Sequence, residues 1–301
     1  MVRQKPAKLP SPVRIWVPPF FSLYPGTFPL LYLVATPIGN LADITFRAIS
    51  ILKSCDEILC EDTRHSLHLL KTYEIQKPLK SFHKFNEASK EDEIIEQLKN
   101  GKVICLISDA GTPGISDPGQ RLVKRCVDEN IKVEPIPGAC AAIAALSASG
   151  LSTDCFQFKG FLPKKTNDVK AALQEILPYK GTTICYESPK RLLNILEQLQ
   201  ELAPDRLIVV ARELTKKFEE IKRATAKELI EHFSQSEIRG EIVLMIAGNE
   251  IIDAVDFSSM SPEEHVAQLQ ETYSLSKNEA IKMAATLRGV PKRDIYNKLH
   301  S

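Results

Sequence analysis

The feature that most constrains the fold of this chain is an alternation, from Leu30 onward, of short apolar runs with segments of helical spacing. The runs of strand length are residues 30–35, 103–107, 182–186, 207–211 and 242–247. In one intervening segment Ile44, Ala48, Ile51 and Leu52 share a helical face. Continuous apolar strands are typical of a mostly parallel sheet that helices cover on both faces. The sequence therefore predicts an α/β fold.

The pattern also predicts a division of the 301 residues into units. We expect an N-terminal α/β domain at residues 30–150, a second α/β domain at 151–250 and a helical segment at 261–301. Residues 152–166 lack strong helical periodicity and mark the boundary between the two domains. In the last segment Ser276-Lys-Asn-Glu279 has the pattern of a helix-capping box, and an apolar stripe follows it.

Residues 1–29 differ from the rest of the chain. They contain four basic residues, no acidic residue and seven prolines. Prolines interrupt every apolar stretch that could serve as the core of a signal peptide. We expect a disordered, basic, proline-rich extension, with a nucleic-acid-binding arm or a mis-assigned start of the chain as the alternatives.

Charge and cysteine usage exclude several classes of protein. The 39 basic and 38 acidic residues give a net charge of +1, which argues against a polybasic nucleic-acid binder. Seven cysteines, an odd number without a CxxC pair, indicate a reducing compartment, and we expect the cytoplasm. No zinc-like spacing and no apolar stretch of about 20 residues occurs, so neither a metal site nor a membrane span is expected.

The C-terminal segment carries a local positive charge. Residues 274–301 hold six basic and two acidic residues, a net +4. A helix-turn-helix-like contact with RNA and a plain solvated helical hairpin explain this charge equally well.

Three loops rich in glycine, proline or both follow apolar runs, at residues 35–43, 108–119 and 135–139. The second reads Ser108-Asp-Ala-Gly-Thr-Pro-Gly-Ile-Ser-Asp-Pro-Gly119, which matches neither a Walker A loop nor a dinucleotide fingerprint. Ligands of open α/β sheets bind at the carboxyl ends of the strands. The three loops therefore predict one shared cleft.

Polar groups near strand ends supply candidate chemistry. They are Glu61-Asp-Thr-Arg64, His83-Lys-Phe-Asn-Glu87, Tyr186-Glu-Ser-Pro-Lys-Arg191, Arg212-Glu-Leu-Thr-Lys216 and Arg239-Gly-Glu241. His83 is a candidate acid or base, or a hydrogen-bonded structural histidine. No Ser-His-Asp or Cys-His arrangement follows from the spacing, which argues against hydrolase chemistry.

Several of these motifs, with the stretch Leu31-Tyr-Leu-Val-Ala-Thr-Pro-Ile-Gly-Asn-Leu-Ala-Asp-Ile-Thr45, carry a resemblance. From about Leu30 to the C-terminus the chain resembles the ribosomal RNA small subunit methyltransferase I family, a branch of the tetrapyrrole methylase superfamily. The resemblance implies two α/β domains with S-adenosylmethionine in the cleft between them, and a homodimer. It also implies 2'-O-methylation of a cytidine in the decoding region of 16S rRNA in the small ribosomal subunit.

The resemblance further implies which residues contact the cofactor. By motif position they are Thr36, Pro37, Asp109, Gly111, Thr112, Pro113, Ile115, Gly138, Ala139, Tyr186, Ala211 and Gly240.

For the reaction itself we expect Glu61 or Glu187 to accept the hydroxyl proton or orient the hydroxyl, with Arg64 on a flanking phosphate. The expected RNA contacts are Arg191, Arg212, Lys216, Lys292 and Arg293. A methylase of the same superfamily acting on a tetrapyrrole or a diphthamide intermediate is the alternative, followed by a non-catalytic RNA-binding or nucleotide-binding module.

Overall fold

The computed structural model describes residues 29–249, 260–273 and 275–299, so nearly all of the predicted extension at 1–29 lies outside the described residues. Two five-stranded sheets dominate the architecture. The strands are β1 (Leu30–Val34), β2 (Glu57–Cys60), β3 (Leu79–Ser81), β4 (Val103–Leu106), β5 (Lys132–Ile136), β6 (Phe156–Phe161), β7 (Thr182–Glu187), β8 (Ile208–Arg212), β9 (Glu220–Ala224) and β10 (Ile242–Ile246). The first eight helices are α1 (Phe46–Ser54), α2 (Thr63–Thr72), α3 (Glu87–Lys99), α4 (Gln120–Asp128), α5 (Ala141–Ser149), α6 (Thr166–Ile176), α7 (Pro189–Leu202) and α8 (Ala226–Phe233).

The first sheet has the order β3-β2-β4-β1-β5, and all its strands are parallel. Leu52 of α1 and Leu70 of α2 pack on one face. Leu98 of α3 and Leu122 of α4 pack on the other. The predicted parallel sheet with helices on both faces is confirmed here, because its continuous apolar strands are buried on both sides.

The second sheet has the order β6-β7-β10-β8-β9 and is mixed. Only β6 and β7 are parallel, whereas β10 runs antiparallel to both β7 and β8. The expectation of mostly parallel strands thus fails for this sheet, because an apolar run indicates burial and contains no signal for direction. The reversal places Ile242, the first residue of β10, opposite Glu187 and Arg212, the last residues of β7 and β8.

Helix α5 connects the two sheets. It follows β5 of the first sheet, yet Ala142, Ala145 and Leu146 pack on Val209 and Met245 of the second. Small side chains allow this close approach, and α6, α7 and α8 cover the opposite face of the second sheet. The chain therefore passes from the first sheet to the second directly after the third glycine-containing loop.

The C-terminal segment is helical, as predicted, with α9 (Pro262–Tyr273), α10 (Lys277–Leu287) and α11 (Lys292–Lys298) around a small core of their own. The predicted capping box forms at the start of α10, where the Ser276 amide donates to Glu279 Oε2 at 2.9 Å. Within the described ranges, no helix is both long enough and apolar enough to cross a membrane. Among the same residues, no three His, Cys, Asp or Glu side chains are arranged so that they could hold a metal ion.

Candidate functional site

The three loops at the carboxyl ends of β1, β4 and β5 interlock. Thr36 and Gly111 exchange backbone hydrogen bonds of 2.8 and 3.1 Å, and the Thr36 hydroxyl donates to the Ser108 carbonyl at 3.1 Å. The Thr112 hydroxyl donates to the Ala139 carbonyl at 3.1 Å. The loops that the sequence predicts to share a cleft are therefore in direct contact.

Backbone conformation explains why this junction needs glycine. Gly111 has a φ of +83°, and a Cβ placed there would lie 3.2 Å from Ile38 Cγ2. A side chain is strained in this region of φ, and here it would also compress the neighbouring loop. Ser116, a non-glycine residue of the same loop, has a φ of +64°. Such strain concentrates at functional sites.

A cavity of about 370 Å³ lies between the two sheets, directly above these loops. The volume is within the range for sites that bind small molecules and cofactors. The first sheet and its loops contribute Ile38, Asp109, Ala110, Gly111, Thr112, Ile115, Ser116, Asp117, Cys140 and Ala141. The second contributes Phe161, Tyr186, Glu187, Ser188, Pro189, Ala211, Leu214, Gly240, Glu241, Ile242 and Val243.

Most residues assigned by motif position border this cavity. The predicted residues in its wall are Asp109, Gly111, Thr112, Ile115, Tyr186, Glu187, Ala211 and Gly240. Thr36 and Ala139 do not line the cavity, but they are hydrogen-bonded to Gly111 and Thr112, which do. Gly138 packs on Ala35. Pro37 and Pro113 also lie outside the wall. The role of each of these residues stays a prediction.

Three carboxylates crowd one side of the cavity. Burial, and then repulsion by Glu61 and Asp109, raises the pKa of Asp117 to about 6. Burial and Asp109 also raise the pKa of Glu61, against the opposing effect of His83. Asp109 accepts a hydrogen bond of 3.1 Å from the Asp62 amide. Asp117 is not among the site residues predicted from the sequence, although it is a carboxylate within the second loop, at residues 108–119.

Glu187 is the buried carboxylate of the opposite wall. Its Oε1 accepts a 2.7 Å hydrogen bond from the Ser188 amide. Its Oε2 lies 3.4 Å from an Arg191 guanidinium nitrogen, an ion-pair distance without the geometry of a hydrogen bond. Burial raises the pKa of Glu187, and the contacts with Ser188 and Arg191 oppose this rise.

Aromatic rings form the floor on the side of the second sheet. Tyr186 lies edge-on to Phe158 and Phe161, with centroids 4.9 and 5.8 Å away. Its hydroxyl accepts a hydrogen bond of 3.3 Å from the Ala142 amide, at the start of α5. Burial raises the pKa of Tyr186 to about 12, so the hydroxyl is neutral at physiological pH.

Two of the cations predicted to contact RNA are bonded within the protein. The Arg191 guanidinium donates to the Leu162 carbonyl at 3.2 Å and to the Pro163 carbonyl at 2.6 Å. Arg212 donates to Glu220 Oε2 at 2.9 and 3.1 Å. Both side chains hold the ends of neighbouring strands in place.

Lys216 is also paired within the protein, because its ammonium nitrogen lies 2.8 Å from Glu213 Oε1 and 3.0 Å from Glu241 Oε2. Arg64 is different, because its side chain is 92% exposed while it pairs with Asp62 at 3.1 Å. Lys292 and Arg293 are exposed at the start of α11.

Comparison with known proteins identifies this architecture. Residues 30–230 match the family of tetrapyrrole (corrin/porphyrin) methylases. Over 273 residues the chain is 47% identical to the ribosomal RNA small subunit methyltransferase I of Halalkalibacterium halodurans, covering 90% of this chain and 94% of that protein. The chain belongs to the ribosomal RNA small subunit methyltransferase I family.

Solved structures show the same fold at lower identity. A cobalt precorrin-4 methyltransferase superposes with a TM-score of 0.56 at 18% identity, over 75% of this chain and 98% of that one. A Thermus thermophilus uroporphyrin-III C-methyltransferase in complex with S-adenosyl homocysteine gives a TM-score of 0.52 at 17% identity, over 75% and 99% of the two chains. The predicted fold of the tetrapyrrole methylase type is therefore confirmed.

The cofactor of this methyltransferase is S-adenosylmethionine, and the cavity suits it. Ile38, Leu214 and Val243 offer apolar contacts to an adenine ring, and the backbone at Gly111 approaches without a side chain. The carboxylates favour the positive charges of the sulfonium and ammonium groups. When bound, the cofactor supplies an activated methyl group.

Proposed function

We propose that this chain methylates the 2'-hydroxyl of a cytidine in the decoding region of 16S rRNA, acting on the small ribosomal subunit. The cavity between the sheets, with its carboxylate cluster, is the observation that carries the proposal. A relative that is 47% identical to this chain is named as a ribosomal RNA methyltransferase. We further propose that the enzyme acts in the cytoplasm as a homodimer.

The residues of the cavity have two tasks in this proposal. The first is to bind the cofactor through the three interlocked loops and the wall of the second sheet, as assigned by motif position. The second is to hold the ribose hydroxyl in line with the methyl group, at about 3 Å, because positioning contributes most of the rate for an activated donor. Loops fixed by the bonds between Thr36, Ser108 and Gly111 suit such positioning.

Methyl transfer to the ribose hydroxyl would form a C–O bond and break the methyl–sulfur bond, with S-adenosyl homocysteine leaving as a neutral thioether, and the hydroxyl proton would go to a base. Glu61 and Glu187 are the proposed acceptors from sequence, and only Glu187 lies in the cavity wall. Asp117 joins them as a third candidate, since it lies in the wall with a pKa of about 6. A base of this pKa is largely ionised at neutral pH and still retains appreciable basicity.

For the RNA backbone we propose direct phosphate contacts from the exposed side chains of Arg64, Lys292 and Arg293. Arg191, Arg212 and Lys216 reach a phosphate only by exchanging the partners described above. We therefore propose that these three residues first of all position the loops at the mouth of the cavity.

The test is incubation with tritiated S-adenosylmethionine and 30S subunits from a strain that lacks the enzyme, followed by mapping of alkali-resistant linkages. We expect one labelled 2'-O-methylcytidine in the decoding region. Label that appears only in a small molecule, as in a tetrapyrrole methylase, or only in a protein would contradict the proposal. Glu61→Gln, Glu187→Gln and Asp117→Asn, compared under single-turnover conditions, identify the proton acceptor.

A further inference from the structure

One aromatic side chain, in the turn after the edge strand β3, has no role in the site described above. Phe85 is 95% exposed, the largest exposure among the bulky apolar residues of the described chain. A phenylalanine in this state forgoes the free energy that burial of its ring would provide. An isolated exposed ring needs no explanation by itself, so its support and surroundings decide its meaning.

Hydrogen bonds and a buried ring hold the turn that carries Phe85. The Phe82 amide donates to the Cys60 carbonyl at 2.7 Å, and the Phe82 ring is buried in the core of the first sheet. Beyond it, the His83 amide donates to Asn86 Oδ1 at 2.8 Å and the Asn86 amide donates back to the His83 carbonyl at 2.9 Å. The fold therefore presents the Phe85 ring to solvent on a fixed support, so little conformational entropy is lost when a partner binds.

The turn lies on the same edge of the sheet as the cavity. It follows β3, whose neighbour β2 ends at Cys60, directly before Glu61. His83 lies edge-on to Phe85 with 6.1 Å between centroids, and it is close enough to Glu61 to lower its pKa. Asp109, which also acts on Glu61, is in the cavity wall. Phe85 thus stands at the outer end of a short row of residues that leads into the site.

The charges around the ring indicate the kind of partner. Lys84, the residue before Phe85, is exposed, and Arg64 and His65 are exposed on the first turn of α2, which follows the neighbouring strand β2. Proteins bind single-stranded nucleic acid with exposed aromatic rings that stack on bases and with cations on the same surface that contact phosphates.

We propose that Phe85 is a stacking platform for an unpaired base of the RNA substrate, next to the nucleotide that enters the cavity. This inference rests on the proposed function. To reach a buried methyl group the target nucleotide must leave its stack, which exposes the face of a neighbouring base. Phe85 covers that face, while Lys84 and Arg64 contact the flanking backbone. Phe85 is a positioning residue, since it does not touch the reacting atoms.

The experiment measures kcat and KM for methyl transfer to 30S subunits lacking the modification, with Phe85→Ala, Phe85→Leu and Phe85→Trp. We expect Phe85→Ala to raise KM for the subunit about tenfold, with kcat and the Kd for S-adenosyl homocysteine unchanged. Phe85→Trp should restore KM to within about twofold, whereas Phe85→Leu should not, because leucine is apolar but has no aromatic face. Phe156→Ala, at the far end of β6 with 42% exposure, is the matched control and should leave KM unchanged.

Each other outcome overturns the inference. A wild-type KM in Phe85→Ala means that the ring does not contact the RNA. Full rescue by Phe85→Leu means that an apolar protein surface covers it, and a change in sedimentation of Phe85→Ala means that this surface is a second copy of the chain. If the wild-type enzyme itself does not label 30S subunits, the proposed function fails, and that result is separate from the effect of the substitution.

Discussion

The two sides of the cavity are built by different means. The first sheet contributes loops whose backbones bond to one another, as between Thr36 and Gly111. The second sheet secures its side with ion pairs, such as Arg212 with Glu220 and Lys216 with Glu241. Backbone bonds between loops that contain glycine and proline thus shape the first side, whereas ion pairs between charged side chains brace the second.

The largest effect should come from filling the backbone junction of the first side. Gly111→Val adds a β-branched side chain at a φ of +83°, within 3.2 Å of Ile38. We expect the affinity for S-adenosyl homocysteine to fall about 100-fold, or about 2.7 kcal/mol, by calorimetry.

Gly114→Val is the matched control, because Gly114 has a φ of +80° but no neighbour within 4 Å of its Cβ position. It should bind the ligand within about threefold of the wild type. Equal losses in the two variants would show that general strain of the loop, and not the junction at Gly111, limits binding.

On the second side, removal of a structural cation should lower stability. Arg191→Ala leaves the Glu187 carboxylate buried without its ion pair and frees two carbonyls, so we expect a loss of about 2 kcal/mol in urea unfolding. Arg64→Ala, in a solvent-exposed pair with Asp62, should leave stability unchanged. A stable Arg191→Ala with weakened RNA binding would instead assign Arg191 to the phosphates.

These two regions also differ in how far the sequence predicted them. The glycine-containing loops are contiguous motifs after apolar runs, and most of their assigned residues border the cavity. The partners of Arg212 and Lys216 could not be predicted, because Glu220 and Glu241 are brought near only by the pairing of β8 with β9 and β10. The antiparallel direction of β10 was hidden for the same reason.

Phe85 and Asp117 illustrate a second limit. Phe82 and Phe85 are three residues apart, and the sequence alone does not show that one ring is buried and the other exposed. Asp117 is one of several polar residues in its loop, and only its burial together with the proximity of Glu61 and Asp109 separates it from the rest. Exposure and crowding of charge are properties of the folded chain.

The carboxylate cluster predicts a pH dependence of stability. The pKa of Asp117 in the folded state, about 6, exceeds its usual value of 3.8, so the folded state binds the proton more tightly than the unfolded state. The contribution of Asp117 to the stability of the folded state is therefore fully present below about pH 4 and is lost as the pH rises through 6.

The free energy of unfolding of Asp117→Asn, relative to that of the wild type, should therefore rise by about 1 to 2 kcal/mol between pH 4 and pH 7, with partial exposure of Asp117 to solvent taken into account. Urea unfolding at a series of pH values measures this difference. The control is Asp154→Asn, at an exposed position, and the free energy of unfolding of this variant should change with pH in the same way as that of the wild type. A constant difference between Asp117→Asn and the wild type would contradict the raised pKa.

The smallest effect concerns the C-terminal helices, which lie outside this comparison. Arg288 donates to His265 and to the Met260 and Ser261 carbonyls, so part of the local charge there is structural too. Replacing the exposed Lys292 and Arg293 with alanine should weaken RNA binding about fivefold and lower the salt slope by about 1.4.

The pair Lys222→Ala and Lys227→Ala, exposed in the second domain, is the control for that variant. An unchanged salt slope after loss of Lys292 and Arg293 would favour a plain solvated hairpin.

We expect both sheets together to form the site for the methyl donor. A crystal structure with S-adenosyl homocysteine tests it most directly. We predict a ligand in the cavity, in contact with the backbone of Gly111 and Thr112 and packed against Leu214 and Val243 of the second side. A ligand held by one sheet alone, or bound outside the cavity, would contradict the account.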